Sequence, residues 1–421
     1  MYQKITLKNG LRLILWPRRE TQAVTVMFGV GVGSRDEPSD IAGVSHFIEH
    51  MNYKGTKKRP TATDVAEFID DIGGISNAYT SKEHTAYYIK ISSDHILDAF
   101  DYLADNIQNS TNITEEFDRE KGVVIEDLKM HKDRPMEEVA ELFEEAIFTD
   151  KSFGRRIGSC PKTVRQITRE DLVNFKNKTY SAENSVLAVV GNFGGFSEKE
   201  LSKKIGDYFV LNYGSKISRK TSGVVSNKTV TTGEMKTEQS NLIIGFAAPS
   251  AKNEDRYSAR LLAQILGGSM SSRMFTEIRE KRGLAYAIET SYQAYSDAGY
   301  LATQAGVAHQ NIEKTIEAIM KEYKKIISEK VSQSELKRAK EIIKGGILIG
   351  IEDSKNLADM LIFMELIQGK LETPEELIKR YQAVSADEVL AVAKKYINFK
   401  QMVVSLVGPK INKDKINKLL K

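Results

Sequence analysis

From its first residues the chain alternates apolar and polar positions. "KITL" (4–7) and "LRLILW" (11–16) flank Asn9-Gly10, a turn dipeptide that predicts a β-hairpin rather than a signal peptide. A second alternating stretch, "GGISNAYTSKEHTAYYIKI" (73–91), begins after paired glycines and predicts another hairpin. Elsewhere the apolar period lengthens to that of a helix, as in "DHILDAFDYLADNI" (94–107) and "QNIEKTIEAIMKEYKKI" (310–326). Pro38, Ser39 and Asp40 supply a helix start, and "IAGVSHFIEHMNY" continues from them with helical spacing.

The pattern occurs twice. "ITREDLVNFKNKTYSAENSVLAVVGN" (167–192) and "VSADEVLAVAKKYINFKQMVVSLVGP" (384–409) each read as a helix with acidic residues in its first turn, then a polar turn, then an apolar strand ending in Val-Gly. "ITEEFDREKGVVIEDLKM" (113–130) is echoed by "VSQSELKRAKEIIKGGILI" (331–349). A period of roughly 215 residues is too long for a solenoid and indicates a duplicated domain. Residues 210–240, rich in Ser, Thr, Gly and Lys, read as the connection, with one short strand in it. The expected organisation is a first domain at 1–212, a linker at 213–233 and a second, homologous domain at 234–421. Mixed helix and strand order with repeated hairpin signals predicts an α+β fold, each domain a sandwich of helices packed on a largely antiparallel sheet.

Composition narrows the function classes. The chain has 421 residues, 41% hydrophobic and 28% charged, the balance of a globular protein with sizeable cores. Its 61 basic residues nearly match 57 acidic ones, for a net charge of +4, and no basic stripe with interleaved aromatics points to nucleic acid. No run of 18 apolar residues occurs, so no membrane span is expected. A single cysteine, Cys160, forbids an internal disulfide and favours a reducing, cytoplasmic setting. With no histidine near it in sequence, Cys160 reads as structural.

Only six histidines are present, and two of them fall in "HFIEH" with Glu49 between. On a helix His46, Glu49 and His50 share one face. Two imidazoles so placed can bind one zinc, and Glu49 then stands beside the metal, able to take a proton from water that the metal acidifies. The plainer alternative is a pair of partly buried histidines, one paired to a glutamate. Only the first half carries this pentad.

"GVSHFIEHMNYKGT" resembles the inverted zinc motif of the pitrilysin-type (M16, inverzincin) metallopeptidases, in the short subfamily similar to mitochondrial processing peptidase subunits. The likeness extends through "GGISNAYTSKEHTAYY" (73–88), "FDREKGVVIEDLKM" (117–130) and "SSRMFTEIREKRGLAY" (271–286), and covers essentially the whole chain. It implies a zinc endopeptidase with one Zn2+ per active chain, held by His46, His50 and a carboxylate on a second helix, with Glu49 as general base. The family's third ligand is a glutamate seven residues after another functional glutamate. With Glu120 as the first of these, the matching position holds Asp127, because seven residues return a helix almost to the same face. Asp127 is the expected ligand, Glu126 the alternative, and Glu120 the residue that orients the imidazoles or the water.

The resemblance makes Ser76, Asn77, Ala78 and Tyr79 an exposed sheet edge to which an extended peptide adds as a strand. His84 nearby reads as structural. In the second half the resemblance assigns Arg279 and Tyr286 to the substrate carbonyl and its oxyanion, with Arg282 the alternative arginine. It implies peptides or unfolded polypeptides as substrates, cut inside a chamber formed by paired chains. The pair is expected to be a homodimer, or a heterodimer with a homologue lacking the motif. No nucleic acid or membrane is expected among the partners. The alternative is a non-catalytic or weakly active scaffold subunit of such a heterodimer.

Overall fold

A computed structural model of the chain describes residues 2–219 and 221–420. It separates into two compact units, each assembled from three segments. The first comprises Met1–Leu128, Arg156–Lys220 and Ile349–Leu371, and the second Lys129–Arg155, Thr221–Leu348 and Glu372–Lys421.

The first unit is built on β1 (Gln3–Thr6), β2 (Arg12–Pro17), β3 (Ala23–Val30), β4 (Ile75–Thr80), β5 (Thr85–Ser92) and β6 (Ser185–Gly191). Their order is β1-β2-β6-β3-β5-β4, antiparallel throughout except where β2 runs parallel to β6. Side chains alternate between faces, and both faces of the inner strands are buried. Leu13, Leu15, Val24, Val26, Phe28, Leu187 and Val189 join one core with residues of the helices Val44–Met51, Ile96–Asn109 and Thr114–Lys132. The intervening Ile14, Met27, Val186, Ala188 and Val190 meet Leu357, Ala358, Leu361 and Ile362 of the helix Ser354–Phe363. Polar ties reinforce that contact. Thr25 Oγ1 is 2.8 Å from Ser354 Oγ, and the buried Arg12 donates from Nη1 to Glu365 Oε1 at 2.9 Å.

The second unit repeats the plan with β7 (Thr229–Glu234), β8 (Ser240–Ala247), β9 (Ala285–Ala294), β10 (Gly299–Val307) and β11 (Val403–Gly408). The order β7-β11-β8-β10-β9, with β7 and β11 as its parallel pair, retraces the path of β2 to β6. One of its faces is covered by Val139, Phe143 and Ile147 of the helix Pro135–Ile147, packed against Ile243, Ala302, Val403 and Val407.

The fold is thus α+β with two similarly built halves, as the repeated pattern predicts. The compact units nevertheless differ from contiguous domains at 1–212 and 234–421. Segment 129–155 belongs to the second sheet and segment 349–371 to the first, so each half of the sequence contributes one helical segment to the unit built on the other half's strands. Within the expected linker, Arg219 donates from Nη2 to Asp36 Oδ2 at 2.7 Å in the first unit, and β7 begins at Thr229 in the second. No helix among the described residues is long and apolar enough to cross a membrane.

Candidate metal centre

The helix that carries the pentad starts later than the sequence suggests. Pro38, Ser39 and Asp40 lead only into a single 3-10 turn, Ser39–Ile41. The α-helix Val44–Met51 begins after Gly43, whose φ of 99° is a left-handed conformation suited to glycine. The chain turns sharply there because Glu37, rather than Ser39 or Asp40, serves the helix start. Its carboxylate accepts from Gly43 N at 2.7 Å and from Ser45 N at 2.8 Å, satisfying amides that a helix terminus leaves open. Val44, Phe47, Ile48 and Met51 are buried in the core, which leaves His46, Glu49 and His50 half-buried on the opposite face.

The helix Thr114–Lys132 packs beside it. Phe117 stacks on Phe47 with ring centroids 4.8 Å apart, and Phe117 and Val124 belong to the same core. This brings Glu120 and Asp127 to the pentad. His46 Nε2 and His50 Nε2 are 3.3 Å apart, and Asp127 Oδ2 is 3.7 Å from His46 Nε2. One ligand atom from each of His46, His50 and Asp127 falls within 4.8 Å of the others. Ligands on a tetrahedral zinc with bonds of about 2.0–2.1 Å stand about 3.3–3.4 Å apart, so the two nitrogens and the carboxylate oxygen fit the ion with little adjustment. Glu126 is exposed and outside this group.

Glu120, buried in the protein, lies behind the ligands. Its Oε1 is 2.8 Å from His50 Nδ1 and its Oε2 2.8 Å from Lys54 Nζ. Burial alone would raise the Glu120 carboxyl. The His50 and Lys54 hydrogen bonds outweigh it and hold the group below the usual carboxylate range. With Nδ1–H of His50 donated to Glu120, Nε2 is the nitrogen left to bind a metal. Glu49 shifts the other way. Burial raises its carboxyl, opposed by the hydroxyl of Thr80 and by His50, and Asp127 adds to the rise. Thr80 Oγ1 donates to Glu49 Oε2.

Thr80 is the last residue of β4, the strand at one edge of the first sheet. Ser76, Asn77, Ala78 and Tyr79 pair on one side with Ile89, Tyr88, Tyr87 and Ala86 of β5, and no strand among the described residues pairs with the other side. Ser76 Oγ lies 3.0 Å from Tyr102 OH, and the Tyr79 hydroxyl donates to Asp359. His84 stays apart from the metal group. It contacts Tyr79 OH at 3.1 Å and Ser81 Oγ at 2.8 Å, and burial pushes its imidazole down to about 4, so it is neutral at physiological pH.

In the second unit, Arg279 is the last but one residue of a π-helical turn, Phe275–Glu280, and Tyr286 the second residue of β9. The Arg279 guanidinium stands 5.6 Å from the Tyr286 ring centroid and 4.7 Å from that of Phe275, while Tyr286 is 74% exposed. Arg279, not the exposed Arg282, is therefore the arginine stacked on this tyrosine.

Sequence reasoning missed Glu37, Lys54 and Thr80. Lys54 follows His50 by four residues, a helical interval that offered a signal. Glu37 and Thr80 reach the site only through turns in the chain.

Residues 13–161 match the family model described as Insulinase (Peptidase family M16), and residues 166–343 the one described as Peptidase M16 inactive domain. The chain is 32% identical over 415 residues to the uncharacterized zinc protease YmxG of Bacillus subtilis, covering 98% of this chain and 99% of that one. It is 34% identical over 405 residues to an uncharacterized zinc protease of Rickettsia felis, covering 96% of each. Among solved structures, a protease from Helicobacter pylori superimposes with a TM-score of 0.89 at 21% identity, over 97% of this chain and 99% of that one, a likeness of fold. By full-length identity to these relatives, and by the match of both halves, the chain belongs to peptidase family M16.

Proposed function

We propose that the protein is a zinc endopeptidase that cuts peptides or unfolded segments. The observation that carries this reading is the convergence of His46, His50 and Asp127 to metal-ligand spacing with the half-buried Glu49 on the same helix face. A zinc ion bound there supplies Lewis acidity, polarising a peptide carbonyl and acidifying water. Glu49 takes the proton from the attacking water and delivers it to the departing amine. Thr80 occupies Glu49 Oε2, which leaves Oε1 for that proton. Glu120 and Lys54 hold His50 in the tautomer that presents Nε2.

An extended substrate adds to the free edge of β4 through main-chain hydrogen bonds, which favours loose sequence requirements. Arg279 and Tyr286 are proposed to hold the substrate carbonyl, on the resemblance and on their stacking against each other. The same reading includes one zinc per active chain, a chamber formed by paired chains and a cytoplasmic setting. The resemblance supports the first two and the single cysteine the last.

Metal analysis combined with hydrolysis of an unfolded polypeptide tests the proposal. Stoichiometric zinc in the wild type, with cleavage abolished and zinc retained in Glu49→Gln, is expected. A wild type with neither zinc nor cleavage would refute it in favour of a non-catalytic partner subunit.

A further inference from the structure

The third ligand is an aspartate, one carbon–carbon bond of about 1.5 Å shorter than a glutamate. The helix Thr114–Lys132 must therefore approach the helix Val44–Met51 more closely at residue 127 than a glutamate would need. The separation of 3.7 Å between Asp127 Oδ2 and His46 Nε2 is already at the long end for two atoms sharing a zinc.

Residue 158 stands against a side chain of each of these two helices. Gly158 has φ +75°, and a Cβ built on it would lie 2.6 Å from Leu128 Cδ2 and 3.1 Å from His46 Nδ1. Leu128 follows Asp127 directly, so one methyl group at 158 would press on both metal-bearing helices at once. Carbon contacts are comfortable only at about 3.5–4.0 Å. Leu128 can turn its side chain away. The His46 ring is rigid, and moving Nδ1 also moves Nε2. The other side of the loop is as tight, because a Cβ on Gly43, the residue that starts the metal helix, would stand 2.6 Å from the Gly158 carbonyl oxygen.

We infer that Gly158 is a positioning residue for the third metal ligand: its missing side chain lets the two helices close far enough for the short Asp127 to reach the metal. The inference rests on the reading of His46, His50 and Asp127 as zinc ligands. It makes residues 127 and 158 interdependent, a small residue at 158 going with the short carboxylate and a larger one requiring the longer carboxylate.

Zinc affinity measured by chelator competition, independent of turnover, tests this as a double-mutant cycle. Gly158→Ala is expected to raise the zinc Kd by about tenfold or more. Adding Asp127→Glu to it should bring the Kd back to within about threefold of the wild type. Gly369→Ala is the control for backbone strain. Gly369 shares the φ of +75° but has no neighbour within 4 Å of a built Cβ, and its substitution should leave the Kd unchanged. Undiminished affinity in Gly158→Ala, or no recovery in the double variant, would overturn the inference. If Gly158→Ala does not fold, Asp127→Glu alone decides. Weaker zinc binding is expected beside Gly158, and equal or tighter binding overturns the inference. A wild type that binds no stoichiometric zinc overturns the metal reading itself, and this inference with it.

Discussion

The carboxylate of Glu120 joins His50 Nδ1 and Lys54 Nζ, each at 2.8 Å, in a buried setting behind the ligand face. Glu120→Gln keeps the shape and removes the charge that holds the imidazole. Partners of this kind are commonly worth about 10–100-fold in metal affinity. Zinc titration of the variant should show a loss in that range, and wild-type affinity would mean that Glu120 does not orient His50.

Thr80 touches the proposed base rather than the proposed ligands, because its hydroxyl donates to Glu49 Oε2. Thr80→Val removes a hydrogen bond to a charged group, worth about 1.5–3 kcal/mol. Hydrolysis assays should show kcat lowered by about tenfold or more, with the zinc content unchanged. A variant that loses zinc in step with activity would place Thr80 in the support of the metal instead.

Lys176 makes stability depend on pH. Its Nζ donates to Asn52 Oδ1 and to Ser110 Oγ at 2.6 Å, no carboxylate faces it among the described residues, and burial lowers it from 10.5 to about 7. The folded value lies below the unfolded one, so between about pH 7 and 10 the unfolded chain binds the extra proton and stability rises with pH. Denaturant titrations should show this rise in the wild type and its absence in Lys176→Met. Equal slopes would contradict the assignment.

Leu361 is fully buried against the first sheet although it lies late in the sequence. Leu361→Ala is expected to cost about 2–5 kcal/mol. Hydrogen exchange should register the loss in β3 and β6 and spare β8 and β10. Faster exchange confined to the second sheet would contradict the assignment of this helix to the first.

The part of the site written into one helical turn was legible. His46, Glu49 and His50 need only a regular helix to share a face, whereas Glu120 and Asp127 came from the family resemblance, whose seven-residue spacing returns a helix to one face. Thr80 and Gly158 were not legible, because a strand end and a loop reach these helices through tertiary packing that no local period encodes. The same limit applies to the fold. The apolar stripe of Leu357, Ala358, Leu361 and Ile362 announces a buried helix face but not which sheet will cover it. The helix start at Pro38 failed for a related reason. Glu37, one position earlier, accepts the amides of Gly43 and Ser45 and delays the helix.

That the first sheet takes its cover from residues 349–371 sets a schedule for its birth. A ribosome adding about 5–20 residues per second needs about 8–33 s to pass from Val186 to Ile349. During that interval Ile14, Met27 and Val186 form an unroofed apolar surface on a nascent chain that already bears His46, His50 and Asp127. A chain cut short before Ile349 would therefore carry His46, His50 and Asp127 with one side of its first sheet bare, a natural client for chaperones and proteases.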